Sequence, residues 1–247
     1  NKTLQFSQQL LQKAEKEENL EQKGFALKTI ASTYLYNKHF NRAESAFNTY
    51  LTFAEKSGNL EQKIIAYVFG GDLYFSLNQP KTAFDYYQKA TDLVKNIDND
   101  VLRETVYVQF SKMLAMTEQY DKVIAIRQQA LSLLESKQID STYTEEEKRE
   151  GLRLANFILS QTYQQIENID SARYYQDQVI KTIKEDDTCS YYLVYFNEAE
   201  INYLEKDYES AKENYNRALT NCPPNYGLFD LNMAYRFGRI DHDLQNY

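Results

Sequence analysis

Apolar residues recur at intervals of three and four positions along almost the whole chain. This spacing places them on one side of a helix, so it predicts helices rather than strands. Short polar breaks divide the helical stretches at regular places: Asn37–His39, Leu77–Pro80, Thr117–Gln119, Glu167–Asn168 and Glu205–Asp207. The pattern predicts about twelve antiparallel helices that take up more than three quarters of the chain, with no sheet.

A ten-residue segment recurs after 40 positions. Residues 14–23 read AEKEENLEQK and residues 54–63 read AEKSGNLEQK, so eight of the ten positions are identical. Small residues keep the same register, and antiparallel helices need small residues where they cross. On the first helix of each unit these are Ala31, Gly71, Ser111, Ser160 and Ala199, and on the second helix they are Ala43, Ala83, Ala172 and Ala211.

The order of residues within each unit resembles that of the tetratricopeptide repeat. A small residue, an aromatic residue, a polar turn, an alanine and a second aromatic residue follow one another, as in Gly71, Tyr74, Ala83 and Tyr87. The resemblance implies an all-α fold, an α-α superhelix of antiparallel helix pairs with right-handed curvature. The chain departs from the family because it has no tryptophan. Its period is about 40 rather than about 34 residues, which is typical of bacterial members.

The repeat predicts a single array of units that spans the chain. Residues 1–23 form a half unit or an N-terminal cap, and residues 224–247 form a partial unit, so we expect a longer protein to continue past Tyr247. The predicted helix-pair units between them are 24–63, 64–103, 104–152, 153–191 and 192–223.

An insertion, Gln138–Gly151, lengthens the third of these units. Thr144 and Glu147 have the spacing of a capping box, which predicts that a helix begins there. We therefore expect a protruding hairpin, which is either a tolerated insertion or a contact site.

The composition favours a binding protein over an enzyme. The chain is 43% apolar and 26% charged, and its net charge of −8 makes it a poor partner for nucleic acid or anionic membranes. Its longest apolar run, Ile64–Phe69, is too short to cross a bilayer. His39 and His242 lack metal-ligand spacing, and Gly70–Gly71 lacks the rest of a phosphate-binding loop. We expect no catalysis, no cofactor and no metal.

The two cysteines, Cys189 and Cys222, are predicted to lie at the same end of the last full helix pair. They are either free thiols or a disulfide that closes a loop of about 33 residues. Because a disulfide would indicate an oxidising compartment, the location stays open between the bacterial periplasm and cytoplasm, with the periplasm slightly favoured.

In the family that the chain resembles, first helices line a concave face that binds peptides. The resemblance implies that the binding row consists of Phe25, Lys28, Tyr36, Val68, Asp72, Lys112, Met116, Phe157, Gln161, Phe196 and Glu200. We expect Phe157 and Phe196 to be exposed central anchors, because aromatic residues carry much interface energy. Asp72 and Glu200 lead us to expect a neutral or basic partner.

The leading hypothesis is a non-catalytic scaffold that binds a protein or peptide, in the sensory or regulatory repeat region of a bacterial signalling protein. Residue usage is similar to that of repeat regions from the Bacteroidetes group. The partner is then a separate protein or a neighbouring domain of a longer chain, without nucleic acid and without direct membrane insertion. The alternative is a receptor for a secreted signalling peptide of the quorum-sensing type, although the Asn-rich rows of those receptors are missing. Adaptors for chaperone tails use a Lys, Asn and Arg clamp, whereas Lys28 and Lys112 are isolated here.

Overall fold

The computed structural model describes residues 2–139, 143–183, 192–221 and 227–245. Within these residues it contains twelve α-helices and no strand, which confirms the predicted all-α fold. The helices are α1 (Lys2–Lys16), α2 (Leu20–Tyr36), α3 (Phe40–Lys56), α4 (Leu60–Ser76), α5 (Pro80–Val94), α6 (Asp100–Met116), α7 (Tyr120–Ser136), α8 (Glu145–Gln165), α9 (Ile169–Ile180), α10 (Tyr192–Leu204), α11 (Tyr208–Asn221) and α12 (Gly227–Gln245). Cys189 and Cys222 lie outside the described residues.

Asparagine side chains begin helices at 40-residue intervals along the first half of the chain. Asn19, Asn59 and Asn99 each accept a hydrogen bond from the backbone N–H three residues on, at 2.9–3.0 Å. An acidic residue follows in the first turn of α2, α4 and α6, where the positive end of the helix dipole favours it. Because each cap contributes about 1 kcal/mol, the repeat fixes helix starts as well as helix contacts.

Each of these three helices ends at a turn with a left-handed residue other than glycine. Lys38, Asn78 and Glu118 have φ angles of 57°, 58° and 58°. In the first turn, the N–H of His39 then bonds to the carbonyl oxygen of Tyr34 at 2.9 Å, which is the Schellman pattern. The turn satisfies the last carbonyl groups and reverses the chain, so the second helix runs antiparallel to the first.

The chain forms two compact units, residues 1–118 and 119–247. In unit 1, the helices α1 to α6 pack against their neighbours in sequence, and α4 also contacts α2 and α6. In unit 2, α7 to α12 pack in the same sequential way, and α8 also contacts α10. The predicted boundaries at 24, 64 and 104 fall inside α2, α4 and α6. That both units belong to one array stays a prediction.

The small residues predicted at helix crossings are buried. No measurable surface is exposed at Ala31, Ala43, Ala83, Ser160, Ala172, Ala199 and Ala211. Gly71 shows why size matters, because a methyl group there would lie 2.6 Å from the ring of Tyr87. Close approach of the two helices in each pair therefore depends on these positions.

Thr144 begins α8 with the predicted capping box. Its hydroxyl accepts a hydrogen bond from the N–H of Glu147 at 3.2 Å, and the Glu147 carboxylate accepts one from the N–H of Thr144 at 2.8 Å. The same backbone bond holds the pKa of the Glu147 carboxyl below its ordinary value. The two residues thus satisfy each other's free groups at the start of the helix.

The described part of the insertion packs against α7. Tyr143 is buried among side chains of α7 and α8. Lys148 donates a hydrogen bond from Nζ to the carbonyl oxygen of Lys137 at 2.7 Å, at the C-terminal end of α7. That the two helices form a protruding hairpin stays a prediction, and residues 140–142 lie outside the described part.

Candidate functional site

The exposed sides of α2, α4 and α6 form one surface of unit 1, called here the first-helix face. From the predicted row it contains Phe25, Lys28, Tyr36, Asp72, Lys112 and Met116. Phe25 is 58% exposed, Tyr36 is 88% exposed and Met116 is 71% exposed. Val68, predicted in the same row, is buried because α4 lies between α2 and α6. Large apolar side chains therefore face solvent on the two outer helices of the face.

Asp72 lies on α4, in the middle of the first-helix face. Its carboxylate is half-buried, and its Oδ1 accepts a hydrogen bond from the hydroxyl of Tyr87 on α5. Burial raises the pKa of the Asp72 carboxyl, while the hydrogen bond and the positive charges of Lys112 and Lys28 partly offset the shift. Burial and the nearby carboxylate also raise the pKa of Tyr87. The Asp72 carboxylate is thus already hydrogen-bonded within the protein.

The two lysines of the first-helix face remain exposed to solvent. Lys28 lies on α2 and Lys112 lies on α6, one on each side of Asp72. They act on Asp72 through their charge, without a hydrogen bond to it. The exposed acids Glu21 and Glu61 lie in the first turns of α2 and α4, so the face carries charged groups of both signs. The neutral or basic partner expected from the acids of the row stays a prediction.

Glu200 on α10 is held in the same manner in unit 2. Its Oε1 accepts a hydrogen bond from the hydroxyl of Tyr215, and its Oε2 lies 3.0 Å from Nη1 of Arg236. Burial and the contact with Glu200 raise the pKa of Tyr215. Gln161, from the same predicted row, is exposed on α8. The carboxylate of Glu200 is therefore paired and does not present a free negative charge.

Phe157 and Phe196 are half-buried, whereas the sequence led us to expect exposed anchors. Phe157 packs against buried valines of α9 and α10. The ring of Phe196 lies 5.5 Å from the ring of Tyr215, and the guanidinium of Arg236 lies 5.9 Å from its centroid. Both rings contribute to the core of unit 2, and Leu193 is the more exposed side chain on α10, at 55%.

Two segments of the chain, residues 65–95 and 192–225, match the family model described as tetratricopeptide repeat. The chain therefore contains tetratricopeptide repeats. The matched segments contain Asp72 with Tyr87 and Glu200 with Tyr215. The carboxylate–tyrosine contact is thus shared by the two repeats that the family model detects.

Solved structures with the same fold align with most of this chain. BtubC (BKLC) from P. vanneervenii has a TM-score of 0.74 at 12% identity, over 89% of each chain. The apo quorum sensor NprR from B. thuringiensis has a TM-score of 0.64 at 12% identity, over 95% of this chain and 68% of that chain. A tetratricopeptide repeat protein from Parabacteroides merdae has a TM-score of 0.58 at 13% identity, over 98% of this chain and 88% of that chain. These likenesses concern the fold alone, and no curated protein matches the sequence.

Titratable side chains do not gather into a metal site in the described part of this chain. His39 lies in the turn after α2, where its ring is 6.4 Å from that of Tyr34. His242 is exposed on α12 and contacts Asp243. None of the described helices combines the length and hydropathy needed to cross a membrane.

Sequence reasoning missed two features of the first-helix face. Val101 is 75% exposed at the start of α6 and adds to the apolar surface. The role of Tyr87 was also missed, although a signal existed. A tyrosine follows an acidic residue by 15 positions in both matched segments. An alignment of the two segments shows this shared acid–tyrosine spacing.

Proposed function

We propose that this chain is a non-catalytic scaffold that binds a protein or peptide on the first-helix face of unit 1. The observation that carries the proposal is the exposure of Phe25 and Tyr36 on α2 and of Met116 on α6, the two outer helices of the face. Large apolar residues that cluster on an exposed surface mark interaction sites more often than single exposed residues do. Aromatic side chains are also enriched among the residues that dominate binding energy.

The depression on α3 and the two rings predicted as anchors in unit 2 offer less to a ligand. A shallow depression on α3 is lined by polar side chains, among them Asn41, Asn48 and Thr52, and lacks an apolar anchor. In unit 2, the rings of Phe157 and Phe196 are already packed in the core. The first-helix face of unit 1, in contrast, combines exposed apolar side chains with charged ones.

The biological setting that we propose is the sensory or regulatory repeat region of a bacterial signalling protein. The residue usage of the chain and the fold of the Parabacteroides merdae protein support it, as an argument by analogy. In this setting the ligand is a segment of another protein or of a neighbouring domain.

The test is a selection from a random library of displayed 12-residue peptides. The triple variant Phe25→Ser, Tyr36→Ser, Met116→Ser should bind the selected peptides at least about tenfold more weakly than the parent chain, since each anchor can contribute about 1–2 kcal/mol. Fluorescence anisotropy with labelled peptides gives the affinities. Circular dichroism should show unchanged helicity, because the three side chains are exposed.

The matched control removes three large side chains elsewhere. Phe6, Leu133 and Tyr174 are 64%, 36% and 59% exposed and lie on α1, α7 and α9. Their triple serine variant should keep the parental affinity. Equal losses in both triple variants would place binding outside the first-helix face.

The second candidate is a receptor for a secreted signalling peptide, supported by the fold shared with the quorum sensor NprR. Such a receptor binds a short peptide with free ends, whereas a scaffold accepts a segment inside a longer chain. Each selected peptide should therefore be compared as a free peptide and as an insert in a loop of a carrier protein. Similar affinities favour the scaffold, and binding of the free peptide alone favours the receptor.

A further inference from the structure

One side of α12 has the contacts of a first helix. Ile240 is buried in one cluster with Ala211 and Tyr215 of α11. Leu73 of α4 is buried in the same way in a cluster with Phe47 of α3. The helix α12 therefore packs on the helix pair before it as the first helix α4 does.

The other side of α12 is open at Gly238. This glycine precedes Ile240 by two positions, as Gly71 precedes Leu73. A methyl group added at Gly71 would lie 2.6 Å from the ring of Tyr87 on the second helix of the pair, whereas nothing lies within 4 Å of one added at Gly238. Within the described part of the chain, no second helix covers α12 at the position where α5 covers α4.

The helix α1 has the opposite vacancy. Because residues 14–23 repeat residues 54–63, α1 takes the register of α3, which is a second helix. Thr3 then corresponds to Ala43, which is fully buried in its helix pair, yet Thr3 is exposed. Phe6, nearly one turn further along α1, is 64% exposed. In the described chain, α1 therefore lacks a first helix on this side.

The spacing within the helix pairs shows how α12 and α1 would meet. The hydroxyl of Ser160 on α8 donates a hydrogen bond at 3.0 Å to the carbonyl oxygen of Ala172, twelve positions later on α9. The same register places Gly238 opposite Thr3 of a second copy. Helices approach closely where small residues cross, and a glycine on α12 leaves room for the threonine side chain on α1.

This register also brings opposite charges together. The guanidinium of Arg42 on α3 lies 6.0 Å from the ring centroid of Tyr34 on α2. Lys2 takes the position of Arg42, and Asp241 takes the position of Tyr34. Lys2 and Asp241 are both exposed, and Asp241 also pairs with Lys212 of its own chain at 2.8 Å. The lysine of one copy would therefore lie beside an acid of the other.

We propose that α12 of one copy packs against α1 of a second copy and forms with it a helix pair of the repeat. A second copy carries both of the missing helices, each in the matching register. Because the two surfaces differ, the contact is heterologous and can continue to further copies. The contact uses α1 and α12 and not the first-helix face of unit 1, so its failure leaves the proposed function intact.

Analytical ultracentrifugation of the full chain tests this proposal at protein concentrations from about 1 µM to about 1 mM. The weight-average mass should rise above that of the monomer as the concentration increases. Gly238→Leu fills the crossing position on α12, and Thr3→Glu with Phe6→Glu places two charges on α1. Each variant should associate at least about tenfold more weakly than the parent chain, through overpacking in the first and buried charge in the second.

An equimolar mixture of the two variants gives the sharper result. The first variant keeps α1 intact and the second keeps α12 intact, so together they retain one complete pair of surfaces. The mixture should therefore form a dimer of the two variants and nothing larger, although each variant alone stays monomeric.

The matched controls place the same side chains on exposed positions of α3. Ser45→Leu adds the same bulk as the first variant, and Thr49→Glu with Thr52→Glu changes the charge as the second does. Both controls should associate as the parent chain does. Circular dichroism at the lowest concentration should show unchanged helicity in all variants, since the substituted positions are exposed.

Three outcomes would overturn the proposal. A parent chain that stays monomeric over the whole concentration range would leave the open sides of α1 and α12 to a different partner. Parental association of either variant would mean that the contact does not join α12 to α1. A mixture of the two variants that stays monomeric would mean that two like surfaces form the contact.

Discussion

The hydroxyl of Tyr87 on α5 donates a hydrogen bond to the carboxylate of Asp72 on α4, 15 positions earlier in the chain. Tyr215 and Glu200 form the same contact at the same spacing between α11 and α10. Both tyrosines are buried, so each hydroxyl needs a partner inside the helix pair. Each of these two repeats thus has a hydrogen bond between its two helices, in addition to the small residues at the helix crossing.

The first prediction concerns the pH dependence of stability at Asp72. Burial raises the pKa of its carboxyl above the ordinary value of 3.8, so the folded chain binds this proton more tightly than the unfolded chain. The contribution of Asp72 to stability therefore falls as pH rises from 3.8 through the raised pKa. Asp72→Asn removes this dependence and keeps an oxygen for Tyr87. The variant should become more stable relative to the parent as pH rises.

Urea unfolding at pH 3.5 and at pH 7 tests this prediction. The exposed carboxylate of Asp85 on α5 provides the control, and Asp85→Asn should keep the parental pH dependence. An equal effect of pH on the Asp72→Asn variant and on the parent chain would contradict the prediction.

A second prediction compares two helical glycines. At Gly71 an added methyl group would lie 2.6 Å from the ring of Tyr87, which is buried and hydrogen-bonded. At Gly238 on α12 nothing lies within 4 Å of the added atom. Gly71→Ala should destabilise the chain by about 1–3 kcal/mol through overpacking, despite its better helix propensity. Gly238→Ala should stabilise it by about 0.5–1 kcal/mol. Thermal unfolding midpoints that change in the same direction in both variants would contradict the close contact assigned to Gly71.

The sequence could predict the helices and their crossings because those features depend on local chemistry. Asn19, Asn59 and Asn99 cap helices through contacts three residues away. Ala83 indicates a helix crossing because its side chain is small. The exposure of Phe196 could not be predicted in this way, because it depends on side chains of α11 and α12.

The third prediction distinguishes a core role from a binding role on α10. Phe196 packs against the ring of Tyr215 in the core of unit 2, while Leu193 is 55% exposed on the same helix. Phe196→Ser should lower the free energy of unfolding by about 1–3 kcal/mol, because it opens a cavity and buries a hydroxyl. Leu193→Ser should change it by less than about 0.5 kcal/mol. Urea denaturation measures both, and a neutral Phe196→Ser variant would restore the view of this ring as a surface anchor.

The fourth prediction concerns a buried polar network among α8, α9 and α10. The side-chain amide of Asn197 donates hydrogen bonds to Oγ of Ser160 at 3.0 Å and to Oε1 of Gln176 at 2.8 Å. Gln176 in turn donates to the carbonyl oxygen of Val194 at 3.0 Å. All of these groups are buried, so removing Asn197 leaves Oε1 of Gln176 without this hydrogen bond, and removing Gln176 takes one acceptor from the amide of Asn197. Asn197→Leu and Gln176→Leu should therefore each cost about 2–3 kcal/mol.

Combining the two substitutions should cost less than the sum of their separate effects. In each single variant, the remaining side chain of the pair keeps a buried polar group that has lost one hydrogen-bond partner, whereas the double variant removes both groups together. The expected coupling energy between Asn197 and Gln176 is about 0.5–3 kcal/mol, measured by urea unfolding in a double-mutant cycle. An exposed residue, Gln161→Leu, combined with Asn197→Leu should give additive effects, since it lies outside the network. Additivity of Asn197→Leu with Gln176→Leu would mean that the two amides act independently and that the hydrogen bond between them contributes little to unit 2.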